Sequence, residues 1–141
     1  MQVKIKKLHN NAVIPKYAKT GDAGLDLVAT EIVNKEAFQI TYGTGVAMEI
    51  PEGYVGLVYP RSSIRKYDLS LTNCVGVIDS GYRGEIQATF RRHKGVASKD
   101  YEVGDKIVQI IIVPYPSIQF IEVDELSETD RGTGGFGSTG N

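Results

Sequence analysis

Lys106-Ile107-Val108-Gln109-Ile110-Ile111-Ile112-Val113 is a run of mostly β-branched residues, introduced by Gly104-Asp105 and ended by Pro114. A short apolar run between turn signals reads as a strand, and its continuity reads as burial on both faces. Gln109 is its lone polar side chain. A buried amide without partners costs about 1–3 kcal/mol, so Gln109 needs either an internal backbone contact or a ligand.

Working outward, similar segments recur at the spacing of a sandwich or barrel. They are Val3-Lys4-Ile5-Lys6, Leu25-Asp26-Leu27-Val28-Ala29, Phe38-Gln39-Ile40, Val46-Ala47-Met48-Glu49-Ile50 and Tyr54-Val55-Gly56-Leu57-Val58-Tyr59. Asn73–Ile78 then meets Asp79-Ser80-Gly81, a hairpin signal, and the chain resumes as a strand in Glu85–Phe90. Ser63-Ile64-Arg65-Lys66-Tyr67 is the best helix candidate, at one or two turns. With 14 Val and 14 Ile against 7 Leu, the chain reads as an all-β domain.

The 141 residues favour one domain, and no apolar run approaches a membrane span. A net charge of -1 gives no general footprint for nucleic acid or an anionic bilayer. Cys74 has no disulfide partner and reads as a small core side chain, while His9 and His93 are too few for a tetrahedral zinc set. The basic N-terminus lacks the apolar core of a secretory signal, so a reduced intracellular compartment, the cytoplasm, is expected.

Several residues have the chemistry for a site, each beside a plainer reading. The last eleven residues hold five of the 16 glycines and should lie outside the sheet core. A disordered terminus is the simple account. Yet glycines separated by hydroxyl residues present backbone N–H groups to an anion, Arg131 adds a phosphate-matching fork, and Phe136 offers a flat apolar face. Gly132–Thr139 approaches a nucleotide loop, but Ser138 stands where lysine is required, which disfavours a Walker-type NTPase. Pro60-Arg61-Ser62-Ser63 is either a helix cap with a surface arginine or a phosphate site. Asp79 is either a turn residue or a carboxylate fixed at a strand end that orients a water and accepts its proton. Tyr82 either covers the hairpin or walls a ring. Asp26 reads first as a solvent-facing strand residue, and Arg83, Arg91 and Arg92 as surface or salt-bridge residues.

The order of these clusters resembles the trimeric dUTP pyrophosphatases, the dUTPases, over essentially the whole chain. Ala23-Gly24-Leu25-Asp26-Leu27 is similar to that family's first motif and Pro60-Arg61-Ser62-Ser63 to its second. Gly76-Val77-Ile78-Asp79-Ser80-Gly81-Tyr82-Arg83-Gly84 is similar to the third, Gly104-Asp105-Lys106-Ile107-Val108-Gln109 to the fourth, and Arg131–Gly140 to the fifth. The resemblance implies a distorted jelly-roll-like β-barrel or sandwich over residues 1–130. A glycine-rich arm, 131–141, follows it as a lid, mobile when empty. It also implies a homotrimer with active sites shared between subunits, and magnesium-assisted hydrolysis of dUTP to dUMP and pyrophosphate.

By position, Asp79 is expected to orient and deprotonate the water that attacks the α-phosphorus. Arg61, Ser62, Ser63 and Gln109 are expected to bind phosphates, with Asp26 assisting Mg2+ through water. From the tail, Arg131 grips the γ-phosphate, Phe136 covers uracil, and Gly137, Ser138 and Thr139 add donors. Asn73, with the backbone near Val77 and Ile78, matches the polar edge of uracil; Tyr82 packs on the sugar and Gln87 neighbours the pocket. Gly81 and Ile64-Arg65-Lys66 depart from the commonest family pattern, which bears on loop geometry. The nearest rival is dCTP deaminase on the same fold, disfavoured because the Asp79-Ser80-Gly81-Tyr82 motif and the tail motif are both present. A non-catalytic nucleotide sensor on this scaffold is the rival from another class.

Overall fold

The computed structural model describes residues 1–137, and its regular structure is almost entirely antiparallel sheet. Ten strands form: β1 (Lys4–Lys7), β2 (Leu25–Val28), β3 (Glu31–Lys35), β4 (Gln39–Gly43), β5 (Val46–Glu49), β6 (Tyr54–Pro60), β7 (Leu69–Leu71), β8 (Gly76–Ile78), β9 (Gln87–Arg92) and β10 (Lys106–Pro114). One four-stranded sheet runs β2-β10-β6-β8 and another β3-β4-β9-β7, with β1 paired to β5 alone. This is the all-β, jelly-roll-like architecture expected. Among the described residues, helix is confined to 3-10 turns at Ser62–Lys66 and Gly95–Ala97.

The decisive run is the interior strand of its sheet. β10 pairs with β6 from Val108↔Pro60 to Pro114↔Tyr54, and its other edge carries β2, with Gln109 opposite Asp26. Ile107, Val108 and Ile110 are fully buried, whereas Ile111, Ile112 and Val113 are only half-buried. Two-sided burial therefore holds for the first half of the strand alone. Between the layers sit Leu27, Ile40, Ile50, Val58, Ile86 and an aromatic group of Tyr42, Phe90 and Tyr101. Tyr42 donates its hydroxyl hydrogen bond to the Tyr101 carbonyl at 2.7 Å. Tyr67 extends this group outward, its ring centroid 4.0 Å from that of Tyr101.

Three expectations are corrected. The strand ending at Ile78 and the one beginning near Glu85 are not a hydrogen-bonded hairpin: β8 pairs with β6, while β9 lies between β4 and β7 in the other sheet. The intervening segment is long enough to cross between layers, and Ile86 lands buried with its amide on the Val46 carbonyl at 3.0 Å. Asn73–Val75 is a turn rather than strand, closed by the Cys74 amide on the Leu71 carbonyl at 3.1 Å. Cys74 itself has φ 60 and is exposed, so it is no core residue. Sequence periodicity also missed β3, whose five residues are all exposed, and the three-residue β7. Beyond Pro114 the chain leaves the sheets, and residues 115–131 are exposed throughout.

Candidate active site

β6 connects two chemically different surfaces. At its C-terminal end Pro60 hands over to Arg61 and the 3-10 turn Ser62–Lys66, whose first amides have no acceptor within the turn. Arg61 Nε donates to Asp26 Oδ1 at 2.6 Å and Nη2 to Oδ2 at 3.4 Å, while Nη1 donates to Ser63 Oγ at 3.0 Å. Lys106 Nζ stands 2.9 Å from Asp26 Oδ2. Partial burial pushes the Asp26 carboxyl up, but hydrogen bonds from Lys106 and Arg61 outweigh it and hold the group below its usual range.

Arg61, Ser63, Lys66, Tyr67, Gly104, Asp105 and Lys106 line an open cavity of ≈ 390 Å³ here. Three cationic side chains against Asp105 and the Asp26 that Arg61 and Lys106 share leave a net positive charge, which favours an anion. Gln109 does not line this cavity; it is half-buried on β10 opposite Asp26, and its Nε2 donates to the Pro60 carbonyl at 3.1 Å. A Cβ at Gly24 would collide with Gln109 Oε1, so the glycine gives the amide its place.

The second surface lies where β8 ends. Ile78 is opposite Gly56 on β6, and beyond it Asp79 sits exposed on a turn closed by the Tyr82 amide on the Asp79 carbonyl at 3.1 Å. Val77, Ile78, Asp79, Tyr82, Glu85, Ile86 and Gln87 line a cavity of ≈ 220 Å³. The Tyr82 ring folds over Gly84, where a Cβ would collide with it, and its hydroxyl donates to the Glu85 carbonyl at 2.9 Å. Gln87 Nε2 donates to Glu85 Oε2 at 3.0 Å. Val77 is 63 % exposed, an apolar side chain at the open mouth.

The expected site residues thus fall into separate groups. Arg61, Ser63, Asp26 and Gln109 gather at one end of β6, with Ser62 exposed beside them; Val77, Ile78, Asp79, Tyr82 and Gln87 gather at the other. Asn73 does not line the second cavity; it lies at the far end of β8, against Gly76. Arg131 is in a turn of the arm, its Nε on the Gly134 carbonyl at 3.0 Å. Phe136 is fully exposed with φ 52, next to Gly137. Ser138 and Thr139 lie outside the described residues. Sequence reasoning passed over Lys106, Lys66 and Glu85. Lys106 and Glu85 open strand-like runs where a charge reads as a flank, and Lys66 ends the short helical turn.

From Gly56 to Arg61 is five residues, or about 17 Å of extended chain at roughly 3.4 Å per residue. Asp79 lies beyond the Gly56 end. Within one chain, the carboxylate and the cation cluster therefore face different surroundings.

Comparison with known proteins gives a consistent picture. The family model described as dUTPase matches residues 10–140. A deoxyuridine 5'-triphosphate nucleotidohydrolase of Clostridium acetobutylicum is 43 % identical over 142 residues, covering 99 % of this chain and 97 % of the relative. The protein of the same name from Thermobifida fusca is 39 % identical, covering 99 % of this chain and 79 % of its own. Among solved structures, the dUTPase of Staphylococcus bacteriophage 80alpha, determined with dUPNHPP, superimposes with a TM-score of 0.88 at 30 % identity over 99 % of both chains.

Proposed function

This chain belongs to the dUTPase family and is a dUTP nucleotidohydrolase, and we propose that it cleaves dUTP to dUMP and pyrophosphate at sites assembled between copies of itself. The observation that carries the shared site is the separation along β6. One triphosphate needs the base at its α-phosphorus and cations along its length, but Asp79 and Arg61 stand at opposite ends of one strand. Joining the Asp79 end of one subunit to the Arg61 end of a second, with the arm 131–141 of a third as lid, completes a site in a homotrimer.

In this reading uracil and deoxyribose occupy the cavity of Val77, Ile78, Tyr82 and Gln87, and Asn73, at the far end of β8, touches substrate only if the turn before that strand shifts. Asp79 orients a water and takes its proton as the water oxygen bonds to the α-phosphorus and the bond to the pyrophosphate oxygen breaks. Arg61, Ser62, Ser63 and Gln109 hold the phosphates, and Arg131, Gly137, Ser138 and Thr139 close over them with Phe136 on the base. Gln109 would turn its amide from the Pro60 carbonyl toward substrate. The Tyr82 ring, braced on Gly84, leaves a ribose hydroxyl without a partner, at a cost of about 1–3 kcal/mol.

The family is generally metal-dependent, and magnesium is our assignment. When bound, it supplies charge neutralisation on the phosphate chain. Arg61 and Lys106 already hold both Asp26 oxygens, so Asp26 suits contact through water rather than direct ligation. No helix among the described residues is long and apolar enough to cross a membrane. A cytoplasmic location, away from nucleic acid and membrane, completes the proposal.

Mixing inactive variants tests it. Asp79→Asn should bind nucleotide but lose about 10²–10⁴-fold in pyrophosphate release, and Arg61→Ala should lose phosphate grip. Subunits of the two variants, exchanged into mixed trimers, should regain turnover, because some sites then combine an intact Asp79 with an intact Arg61. No regain, or a solution mass of a single chain, overturns the shared site. Wild-type turnover in Asp79→Asn overturns the base. Ammonia release from dCTP would favour the deaminase.

A further inference from the structure

Away from the Arg61 surface, one group of potential metal-ligand side chains converges among the described residues. His9, Glu31 and Glu85 bring an imidazole nitrogen and two carboxylate oxygens within 4.8 Å of one another. They come from three segments distant in sequence: the turn after β1, the first residue of β3 and the connection leading into β9. His9 Nε2 is 3.3 Å from Glu31 Oε1. That matches the edge of a tetrahedron whose ligands lie about 2.0–2.2 Å from a central zinc, roughly 3.3–3.6 Å.

All three segments hang on one turn between β4 and β5. The Leu8 amide donates to the Gly45 carbonyl at 2.7 Å, the Thr30 amide to the Gly43 carbonyl at 2.8 Å, and the Ile86 amide to the Val46 carbonyl at 3.0 Å. Glu85 is the most firmly held. Its Oε1 accepts from the Gly45 amide at 2.7 Å and its Oε2 from Gln87 Nε2 at 3.0 Å. A Cβ at Gly43 would fall 2.6 Å from Glu85 Oε1 and 3.2 Å from Glu31 Cγ, so glycine there is what lets the two acids approach.

Drawing two carboxylates together is unfavourable without a cation between them. Among the ion pairs of the described residues, Glu31 meets only the His9 imidazole and Glu85 meets no basic side chain, so no lysine or arginine stands between the two acids.

We propose that His9, Glu31 and Glu85 form a three-ligand site for a divalent transition metal of the zinc class, with a fourth position open to solvent. One imidazole and two carboxylates suit Zn2+ better than Mg2+, which prefers an all-oxygen octahedron. The Gly45 amide and the Gln87 side chain are the outer partners that aim Glu85. The site is separate from magnesium carried on substrate phosphates. It bears on the nucleotide cavity through Glu85, which lines that cavity and whose carbonyl accepts the Tyr82 hydroxyl. A bound metal ties this wall to the segments at β1 and β3.

Calorimetric titration of the chelator-treated full chain with zinc chloride, without nucleotide, tests the site independently of catalysis. The expected result is one zinc per chain with a raised melting temperature. His9→Ala and Glu31→Gln should each weaken binding by about 10–100-fold or more while the metal-free proteins melt normally, since both side chains are exposed. His93→Ala should bind as wild type. The chain has only two histidines, so cobalt should broaden the proton resonances of the His9 ring and spare those of His93. Absence of saturable uptake at micromolar zinc overturns the proposal. So does uptake that survives both His9→Ala and Glu31→Gln, or equal loss in His93→Ala.

Discussion

Arg61 and Arg92 are each forked onto an aspartate, but in different surroundings. Arg92 is 3 % exposed: Nε and Nη2 meet Asp100 at 2.9 and 3.0 Å, and its other donors reach the carbonyls of Glu36, Ala37 and Val96. Every N–H of that guanidinium is spoken for. Arg61 is 27 % exposed at the rim of a cavity, two of its four bonds are stretched to 3.4 Å, and it shares Asp26 with Lys106. The same pairing thus locks the loop around Ala37 and Val96 in one place and leaves a cation open to a cavity in the other. Sealing and donor count, rather than the presence of an ion pair, are what differ between the two arginines.

Removing each arginine should break the molecule differently. Arg92→Ala leaves Asp100 with only the exposed Lys35 for a partner; thermal or urea unfolding should show a loss of about 3–5 kcal/mol. Arg61→Ala should melt near the wild type and lose about 10²–10³-fold in pyrophosphate release from dUTP, as for a donor aimed at developing charge. Equal melting losses in the two variants would erase the distinction. Arg61→Lys keeps charge but not the fork, and should fall between wild type and Arg61→Ala in the same assay.

The smallest effect concerns acid. The Asp26 carboxyl is depressed below 3.8 in the folded chain, so its stabilisation is full above that value and is lost as pH falls through the lower folded one. Melting temperatures followed downward from pH 5 should therefore decline less steeply in Asp26→Asn than in wild type, and parallel curves would show that the pair contributes nothing.

Much of this is legible in the amino-acid sequence alone. The β10 run, the punctuation at Gly104 and Pro114, and the ordered motifs around Asp26, Arg61, Asp79 and Gln109 all carry local signals. What escaped depends on distant partners. Asp79-Ser80-Gly81 looks like a hairpin turn, but whether the next strand pairs back is decided by where Ile86 is buried, against Val46. β3 escaped because an all-exposed strand has no alternation to read. Arg61 carries a motif and Arg92 reads as a surface or salt-bridge residue; that Arg92 is sealed at 3 % exposure is set by its distant partners Asp100, Glu36 and Ala37, which no local pattern shows. The separation of Asp79 from Arg61 needed the register of β6, which no motif encodes.

That separation has a genetic side. If each site draws its base and its cations from different subunits, a cell carrying two alleles would not divide its trimers into working and dead. Each Asp79-deficient chain would silence the one site its base serves and leave its cations useful to another. Activity would then fall in proportion to gene dose. Alleles damaged at opposite ends of β6 would complement one another, a pattern ordinarily expected only of mutations in separate genes.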